Sequence, residues 1–151
     1  MARDPIPTYV FAMVVAHHEG KMLVVHERKH GGGWYLPAGR VEPGEALHEA
    51  AIRETLEESG VEVELEGLLR VEHTPHPRAT RFRFFFLARP KSDPTPRSEP
   101  NEHTLGAAWK SAAELEGMHL RGDEVLALAQ AIESGTLRVG NLPTIEGAPW
   151  R

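Results

Sequence analysis

The feature that most constrains this chain is an acidic stretch with strong helix propensity in its first half. Residues 45–59, EALHEAAIRETLEES, contain no glycine or proline, and Gly60 follows as a suitable left-handed cap, so we predict a helix here. Because successive residues turn by about 100° on a helix, Glu54, Glu57 and Glu58 share one side of it. Carboxylates at this spacing repel one another, and acidic residues in a last turn also face the negative end of the helix dipole. The stretch therefore indicates either a solvated acidic face or a carboxylate site for a divalent cation.

The rest of the chain alternates apolar runs with turn-forming residues, which is typical of strands joined by loops. We predict strands over 9–16, 21–26, 34–37, 61–71, 80–89 and 107–110, and a second helix over 123–134. The glycines at 31–33, the proline-rich stretch at 90–100 and the tail from residue 143 are predicted to be irregular. The order of strands and helices predicts an α/β fold with a mixed sheet between helices, and the length suits a single domain over 1–151.

Composition excludes several classes of protein. The chain has no cysteine, which excludes disulfides, thiolate metal sites and a cysteine nucleophile. Its formal net charge of −5 argues against a protein that binds nucleic acid nonspecifically, because such proteins are usually basic. No apolar run is long enough to cross a bilayer, and the first residues lack the apolar core of a secretion signal. We therefore expect a cytoplasmic protein without membrane contact.

The sequence around the acidic helix carries a longer pattern. Residues 39–61 read GRVEPGEALHEAAIRETLEESGV, which resembles the Nudix box: Gly, five residues, Glu, seven residues, Arg-Glu, an apolar position, any residue, Glu-Glu, any residue, Gly and an apolar residue. The positions that match are Gly39, Glu45, Arg53, Glu54, Glu57, Glu58, Gly60 and Val61. Thr55 departs from the pattern, because the family usually has an aliphatic residue there.

The resemblance implies a Nudix-type α/β/α sandwich and a Mg²⁺-dependent hydrolase that cleaves a diphosphate bond in a nucleotide-like small molecule. Glu54, Glu57 and Glu58 would hold Mg²⁺, or Mn²⁺ in its place, together with the backbone carbonyl of Gly39. A glycine suits this position because no side chain blocks a close approach to the ion. Dimers are common in the family, so a homodimer is an expectation.

The resemblance also implies roles in orienting and activating the site. Arg53 would orient the metal-binding carboxylates by ion pairing, and Glu45, expected in the first turn of the helix, would pair with Arg53. A carboxylate would orient or deprotonate a metal-activated water for in-line attack on phosphorus. In the family this base is either a box glutamate or a glutamate from a later loop, and among the loop residues here we favour Glu102 over Glu99.

Arginines outside the box are candidates for phosphate contacts. They are Arg28, Arg40, Arg81 and Arg83. The last two would share a face because they lie two apart in a predicted strand. For each arginine, a solvated surface position is an equally good interpretation. His73 and His76 lie among prolines, so we predict that they are loop residues and not zinc ligands.

Residues outside the box leave the substrate open. The segments WYLPAGRVEPGE and RFRFFFLARP look like those of Nudix proteins that hydrolyse oxidised guanine nucleoside diphosphates. Pro77, sixteen residues after Val61, resembles the spacing in ADP-ribose hydrolases, so an ADP-ribose or nucleotide-sugar pyrophosphatase is the alternative enzyme. A Nudix-fold nucleotide sensor without turnover is the alternative from another class. The presence of every box glutamate argues against the sensor, and a purely structural domain would leave the acidic cluster unexplained.

Overall fold

The computed structural model describes residues 3–140. Its strands are β1 (Thr8–His18), β2 (Lys21–Glu27), β3 (Trp34–Tyr35), β4 (Ala38–Arg40), β5 (Val63–His76), β6 (Ala79–Pro90) and β7 (Thr104–Lys110). Its helices are α1 (Leu47–Ser59), α2 (Ala112–Glu116) and α3 (Glu124–Ser134), and a 3-10 turn covers His30–Gly32. Among the described residues, no helix is long and apolar enough to cross a membrane. The irregular tail predicted from residue 143 lies outside the described residues.

A mixed sheet with β1 near its centre organises the fold. The strands follow the order β3-β2-β1-β6-β5, with β4 beside β1 and β7 beside β2. β1 runs parallel to β6, whereas the other pairings are antiparallel. The apolar run in β1 is continuous because this strand is covered on both faces.

Side chains that alternate along β1 separate two apolar cores. Val14 belongs to the core beneath α1, together with Ala50 and Ala51 of that helix. Val15 belongs to the opposite core, which also contains Leu128 of α3. The alanines of α1 let its backbone lie close to the sheet. Helices on both faces of a mixed sheet form the predicted α/β/α sandwich, so the predicted fold class is confirmed.

The structure corrects several predicted boundaries. β5 continues to His76, so His73 and His76 lie in a strand and not in the predicted loop. Pro75 is tolerated because β5 is an edge strand, where a missing N–H need not break the hydrogen bonds of the sheet. α1 begins at Leu47, later than predicted, and Glu45 lies in the turn before the helix.

Two short elements are absent from the sequence prediction. β4 pairs antiparallel with β1, which brings Gly39 opposite Ala12. α2 begins after Ser111, whose hydroxyl accepts the backbone N–H of Glu114 at 3.2 Å, while the Glu114 carboxylate accepts the backbone N–H of Ser111 at 3.1 Å. This capping box is visible in the sequence as Ser-Ala-Ala-Glu, so a signal for the helix was available.

Candidate active site

β4 and α1 bring three of the predicted metal-binding residues, Gly39, Glu54 and Glu58, close to one another. A Cβ atom on Gly39 would overlap the carboxylate of Glu54, so glycine is the residue that leaves room for this side chain. Glu58, about one turn further along α1, accepts a hydrogen bond from the backbone N–H of Ala38 at 2.7 Å. The backbone of β4 and the acidic face of α1 therefore form one site.

Arg53 binds several carboxylates of this cluster. Its Nε and Nη2 atoms donate to the two carboxylate oxygens of Glu45 at 2.6 and 2.9 Å. Its Nη1 atom donates to Glu54 at 2.8 Å and to Glu57 at 3.2 Å. The hydrogen bond from Arg53 lowers the pKa of Glu45 to about 2. The ion pair predicted between Arg53 and Glu45 is therefore present, although Glu45 reaches it from the turn before α1 and not from the helix.

Two carboxylates of the cluster are costly to ionise. Burial raises the pKa of Glu58 to about 8, and the negative charges of Glu54, Glu27 and Glu57 add to this effect. Burial also raises the pKa of Glu54, although the hydrogen bond from Arg53 opposes the rise. A divalent cation among these oxygens would offset both the burial and the mutual repulsion.

The chemistry of the donor set fits a divalent cation. Carboxylate oxygens and a peptide carbonyl are the ligands that Mg²⁺ and Mn²⁺ prefer. Across residues 3–140, however, no three acidic or histidine side chains already converge as a ready ligand set. Arg53 holds the carboxylates of Glu54 and Glu57 instead.

A cleft of about 560 Å³ opens over this cluster. Its wall carries the predicted site residues Gly39, Glu54, Glu58, Glu102, Arg28, Arg40, Arg81 and Arg83. Of the predicted site residues, Arg53 and Glu57 are not part of the wall. The fold thus brings together arginines from β4, from β6 and from the segment after β2, which are far apart in the sequence.

Arg83 is already bound by protein groups. Its Nη2 atom donates to both carboxylate oxygens of Glu72 at 3.0 Å, and its Nη1 atom donates to the hydroxyl of Tyr35 at 3.1 Å. That hydroxyl in turn donates to Glu124 at 2.5 Å. Because two carboxylates lie next to its guanidinium group, Arg83 supports the wall of the cleft more than it offers a free charge.

The other predicted arginines have neutral partners. Arg28 donates to a backbone carbonyl at 2.7 Å, and Arg81 makes a long hydrogen bond of 3.4 Å to the hydroxyl of Thr74. The guanidinium carbon of Arg40 lies 5.0 Å from the centre of the Tyr9 ring. Neutral partners leave these positive charges available to an anion in the cleft.

The wall of the cleft also holds a cation and a carboxylate that the sequence analysis missed. Arg121, between α2 and α3, donates to Glu27 at 2.9 Å, and its guanidinium carbon lies 4.7 Å from the centre of the Tyr35 ring. Burial raises the pKa of Glu27, and Arg121 opposes the rise. The pair joins the end of β2 to a distant segment, so no local sequence pattern predicts it.

Comparison with known sequences identifies related proteins. The family model of the NUDIX domain matches residues 7–129. Human 8-oxo-dGDP phosphatase NUDT18 is 39% identical over 125 residues, which cover 81% of this chain and 38% of that protein. Phosphatase NudJ from Escherichia coli K12 is 34% identical over 130 residues, which cover 84% of each chain. This chain thus spans about 38% of the length of human NUDT18 and most of the length of NudJ.

Comparison with solved structures leads to the same family. A NUDIX hydrolase from Nitrosomonas europaea superimposes with a TM-score of 0.69 and 29% identity, over 87% of this chain and 91% of that one. An ADP-ribose pyrophosphatase from Streptococcus suis superimposes with a TM-score of 0.63 and 25% identity, over 84% of this chain and 91% of that one. Nudix hydrolases generally use a divalent metal ion, which agrees with the oxygen donors of the site. Because the family model covers most of its length, the chain belongs to the NUDIX domain family.

Proposed function

We propose that this chain is a Mg²⁺-dependent hydrolase that cleaves the diphosphate bond of a nucleoside di- or triphosphate, or of a nucleoside diphosphate linked to another moiety. The observation that supports it most is the cleft in which free arginine charges face the acidic residues of α1. Arginines attract a phosphate chain, and a divalent cation held by the acidic cluster would supply further positive charge beside it. Similarity to 8-oxo-dGDP phosphatase favours an oxidised guanine nucleoside diphosphate as the substrate.

The residues of α1 and β4 would prepare the site. Glu54, Glu57, Glu58 and the backbone carbonyl of Gly39 hold the metal in this proposal, and Arg53 orients the carboxylates. When bound, Mg²⁺ or Mn²⁺ neutralises phosphate charge and lowers the pKa of a water molecule. Metal binding by Glu54, Glu57 and Glu58 would need little movement of the backbone, because these three side chains already share one face of α1.

The cleft arginines and Glu102 would act on the substrate. Arg28, Arg40 and Arg81 bind and orient the phosphates in the cleft. Glu102 accepts the proton of the attacking water, which adds in line to phosphorus as the leaving phosphate departs. The side chain of Glu102 lines the cleft and is 84% exposed, and its Oε1 atom lies 3.3 Å from Nε2 of His103. It must turn from this exposed contact to reach a water above the cluster. Glu99, the other loop candidate, is not part of the cleft wall.

A second enzyme remains a candidate because of the size of the cleft. Its volume of about 560 Å³ lies in the range of small-molecule sites and leaves room for a sugar beyond the diphosphate. The structural likeness to an ADP-ribose pyrophosphatase points to ADP-ribose or a nucleotide sugar as that alternative. The candidate from another class is a nucleotide sensor without turnover, and the complete set of box glutamates argues against it.

Product analysis tests the proposal. The protein is incubated separately with nucleoside di- and triphosphates, oxidised guanine nucleotides, ADP-ribose and nucleotide sugars, each with Mg²⁺, with Mn²⁺ and with EDTA. We expect turnover of one substrate class, abolished by EDTA and lowered about tenfold or more in Glu57→Gln. The side chain of Glu57 is 35% exposed, so this substitution should not disturb the fold. No turnover with nucleotide binding retained would favour the sensor, and turnover unaffected by EDTA would reject the metal-dependent enzyme.

Replacing Gly39 by alanine is expected to raise the metal requirement. The added Cβ atom overlaps the end of a flexible side chain and not backbone, so the fold should persist while the Glu54 carboxylate is displaced. We expect the Mg²⁺ concentration for half-maximal activity to rise by about 10- to 100-fold, as measured by titrating hydrolysis with Mg²⁺. Gly117→Ala is the matched control, because nothing lies within 4 Å of a Cβ atom there. An unchanged Mg²⁺ requirement in Gly39→Ala would contradict this expectation.

A further inference from the structure

The last turn of α1 is bound by side chains from the segment between β6 and β7. Arg97 Nη2 donates to the backbone carbonyls of Glu57 and Glu58 at 3.1 and 2.9 Å. Asn101 Nδ2 donates to the carbonyl of Glu57 at 3.1 Å, and Thr104 Oγ1 donates to the carbonyl of Glu58 at 2.6 Å. Carbonyls at the end of a helix have no hydrogen-bond partner within the helix. These bonds therefore give the two carbonyls partners that the helix itself cannot supply. We call Arg97, Asn101 and Thr104 the C-terminal clamp.

The C-terminal clamp is also fixed through its backbone. The N–H of Arg97 donates to the carbonyl of Ser59 at 2.7 Å, and the carbonyl of Arg97 accepts the N–H of Ala107 in β7 at 2.9 Å. Further back in the same segment, the carbonyl of Pro94 accepts Trp109 Nε1 at 2.6 Å. The proline-rich segment is therefore attached to both α1 and β7, which favours a fixed support for the turn after it over a lid.

Asn101 joins three parts of the site. Its Oδ1 atom accepts the backbone N–H groups of His103 and Thr104 at 2.8 and 2.9 Å, which closes the turn that carries Glu102. Its Nδ2 atom reaches the last turn of α1, as described above. Its backbone carbonyl accepts the Nε of Arg28 at 2.7 Å. A single amide side chain thus links the loop glutamate to the helix that bears the metal-binding carboxylates.

We propose that Asn101 is a positioning residue that, with Arg97, sets the place of Glu102 relative to the carboxylates of α1. This inference rests on the proposed function. Glu102 itself is exposed, so its location depends on the turn that holds it. Asn101 closes that turn through Oδ1 and ties it to Glu57 through Nδ2. Removing the tie lets the turn shift, and a shift of about 1 Å in a reacting group is costly to the rate.

A double-mutant cycle tests the inference. Asn101→Ala should lower kcat by about 10- to 100-fold with KM changed less, because Arg40 and Arg81 have partners outside this turn, although Arg28 contacts it. In the Glu102→Gln background, the same substitution should lower kcat by no more than about 2-fold. Ser98→Ala, at an exposed position in the same segment, is the matched control and should behave like the unmodified protein.

Asn101→Asp separates the two functions of the amide. Aspartate keeps the oxygen that closes the turn but loses the donor to the Glu57 carbonyl, so we expect a loss of kcat close to that of Asn101→Ala. Arg97→Lys, which keeps the charge, should show a smaller loss of the same kind. Because Asn101→Asp keeps the size of the side chain and Arg97→Lys keeps its charge, both variants report on the inference even where Asn101→Ala does not fold.

The possible outcomes distinguish this inference from the proposed function. Full activity in Asn101→Asp, or an equal loss from Asn101→Ala with and without Glu102, would overturn the inference alone. Absence of turnover by the unmodified chain would overturn the proposed function and the inference with it. Loss of kcat that disappears in the Glu102→Gln background supports both.

Discussion

Replacing Glu58 by glutamine is expected to remove hydrolysis while leaving the metal-free protein at least as stable as before. The side-chain carbonyl of glutamine still accepts the hydrogen bond from the backbone N–H of Ala38. Glutamine carries no charge, which removes the unfavourable burial that raises the pKa of Glu58 to about 8. It also removes an anionic metal ligand, and we expect kcat to fall on the order of 1,000-fold.

The pH dependence of stability follows from the same pKa. Between the ordinary glutamate pKa of 4.5 and about 8, Glu58 stays protonated in the folded metal-free protein but ionises in the unfolded chain. The folded state then binds more protons, so the free energy of unfolding falls as pH rises through this window and levels off above it. The fall from this group is at most about 1.4 kcal/mol per pH unit. Glu58→Gln should lose this part of the pH dependence.

Urea unfolding of the EDTA-treated proteins from about pH 5 to about pH 9 measures the free energy of unfolding of the unmodified protein and of Glu58→Gln, and thus the difference in their pH dependence. Glu116→Gln, at an exposed position on α2, is the matched control for loss of a negative charge. Added Mg²⁺ should stabilise the unmodified protein more than Glu58→Gln, because a ligand that binds only the folded state shifts the equilibrium toward it. If Glu58→Gln is less stable than the unmodified protein at about pH 8, the buried charge of Glu58 does not destabilise the metal-free protein. If Glu58→Gln keeps hydrolysis, Glu58 is not an essential metal ligand.

Features encoded within one element were predictable from the sequence. The continuous apolar run of β1 predicts a strand covered on both faces, and the structure has it at the centre of the sheet. Helix geometry alone puts Glu54, Glu57 and Glu58 on one side of α1, because three residues on one helix have fixed relative directions. The ion pair between Arg53 and Glu45 was expected only from the resemblance to the Nudix box, because eight residues on a helix would place the two side chains about two turns apart.

Features that depend on the meeting of distant segments were not predictable. Arg121 meets Glu27 only when the segment between α2 and α3 reaches the end of β2. Asn101 meets α1 only when the proline-rich segment folds back on the helix. At Pro75 a local signal was misleading. Proline is typical of a loop, which is what we predicted there, but an edge strand tolerates it. Local propensity carries no information on these contacts, because each is decided by which surface the chain packs against.

Arg53→Met is expected to lose both activity and stability, in contrast to Glu58→Gln. Methionine leaves Glu45 without its bidentate partner and leaves the Glu54 and Glu57 carboxylates without a shared cation. Misplaced carboxylates should lower kcat/KM by more than about 100-fold. The lost charge-assisted hydrogen bonds should lower the free energy of unfolding by about 2 kcal/mol, which corresponds to a decrease in Tm of about 4–8 °C.

Two further variants separate the charge of Arg53 from its geometry. Arg53→Lys keeps the positive charge, but one ammonium group cannot bridge Glu45 and the carboxylates on α1 at once, so most of the activity loss should remain. Glu45→Gln removes only the anchoring carboxylate, so it should lower Tm while costing much less activity. Thermal unfolding and kcat/KM are measured for all of these variants. Near-complete recovery in Arg53→Lys would mean that Arg53 acts only as a charge, and the orienting role inferred from its hydrogen bonds would be wrong.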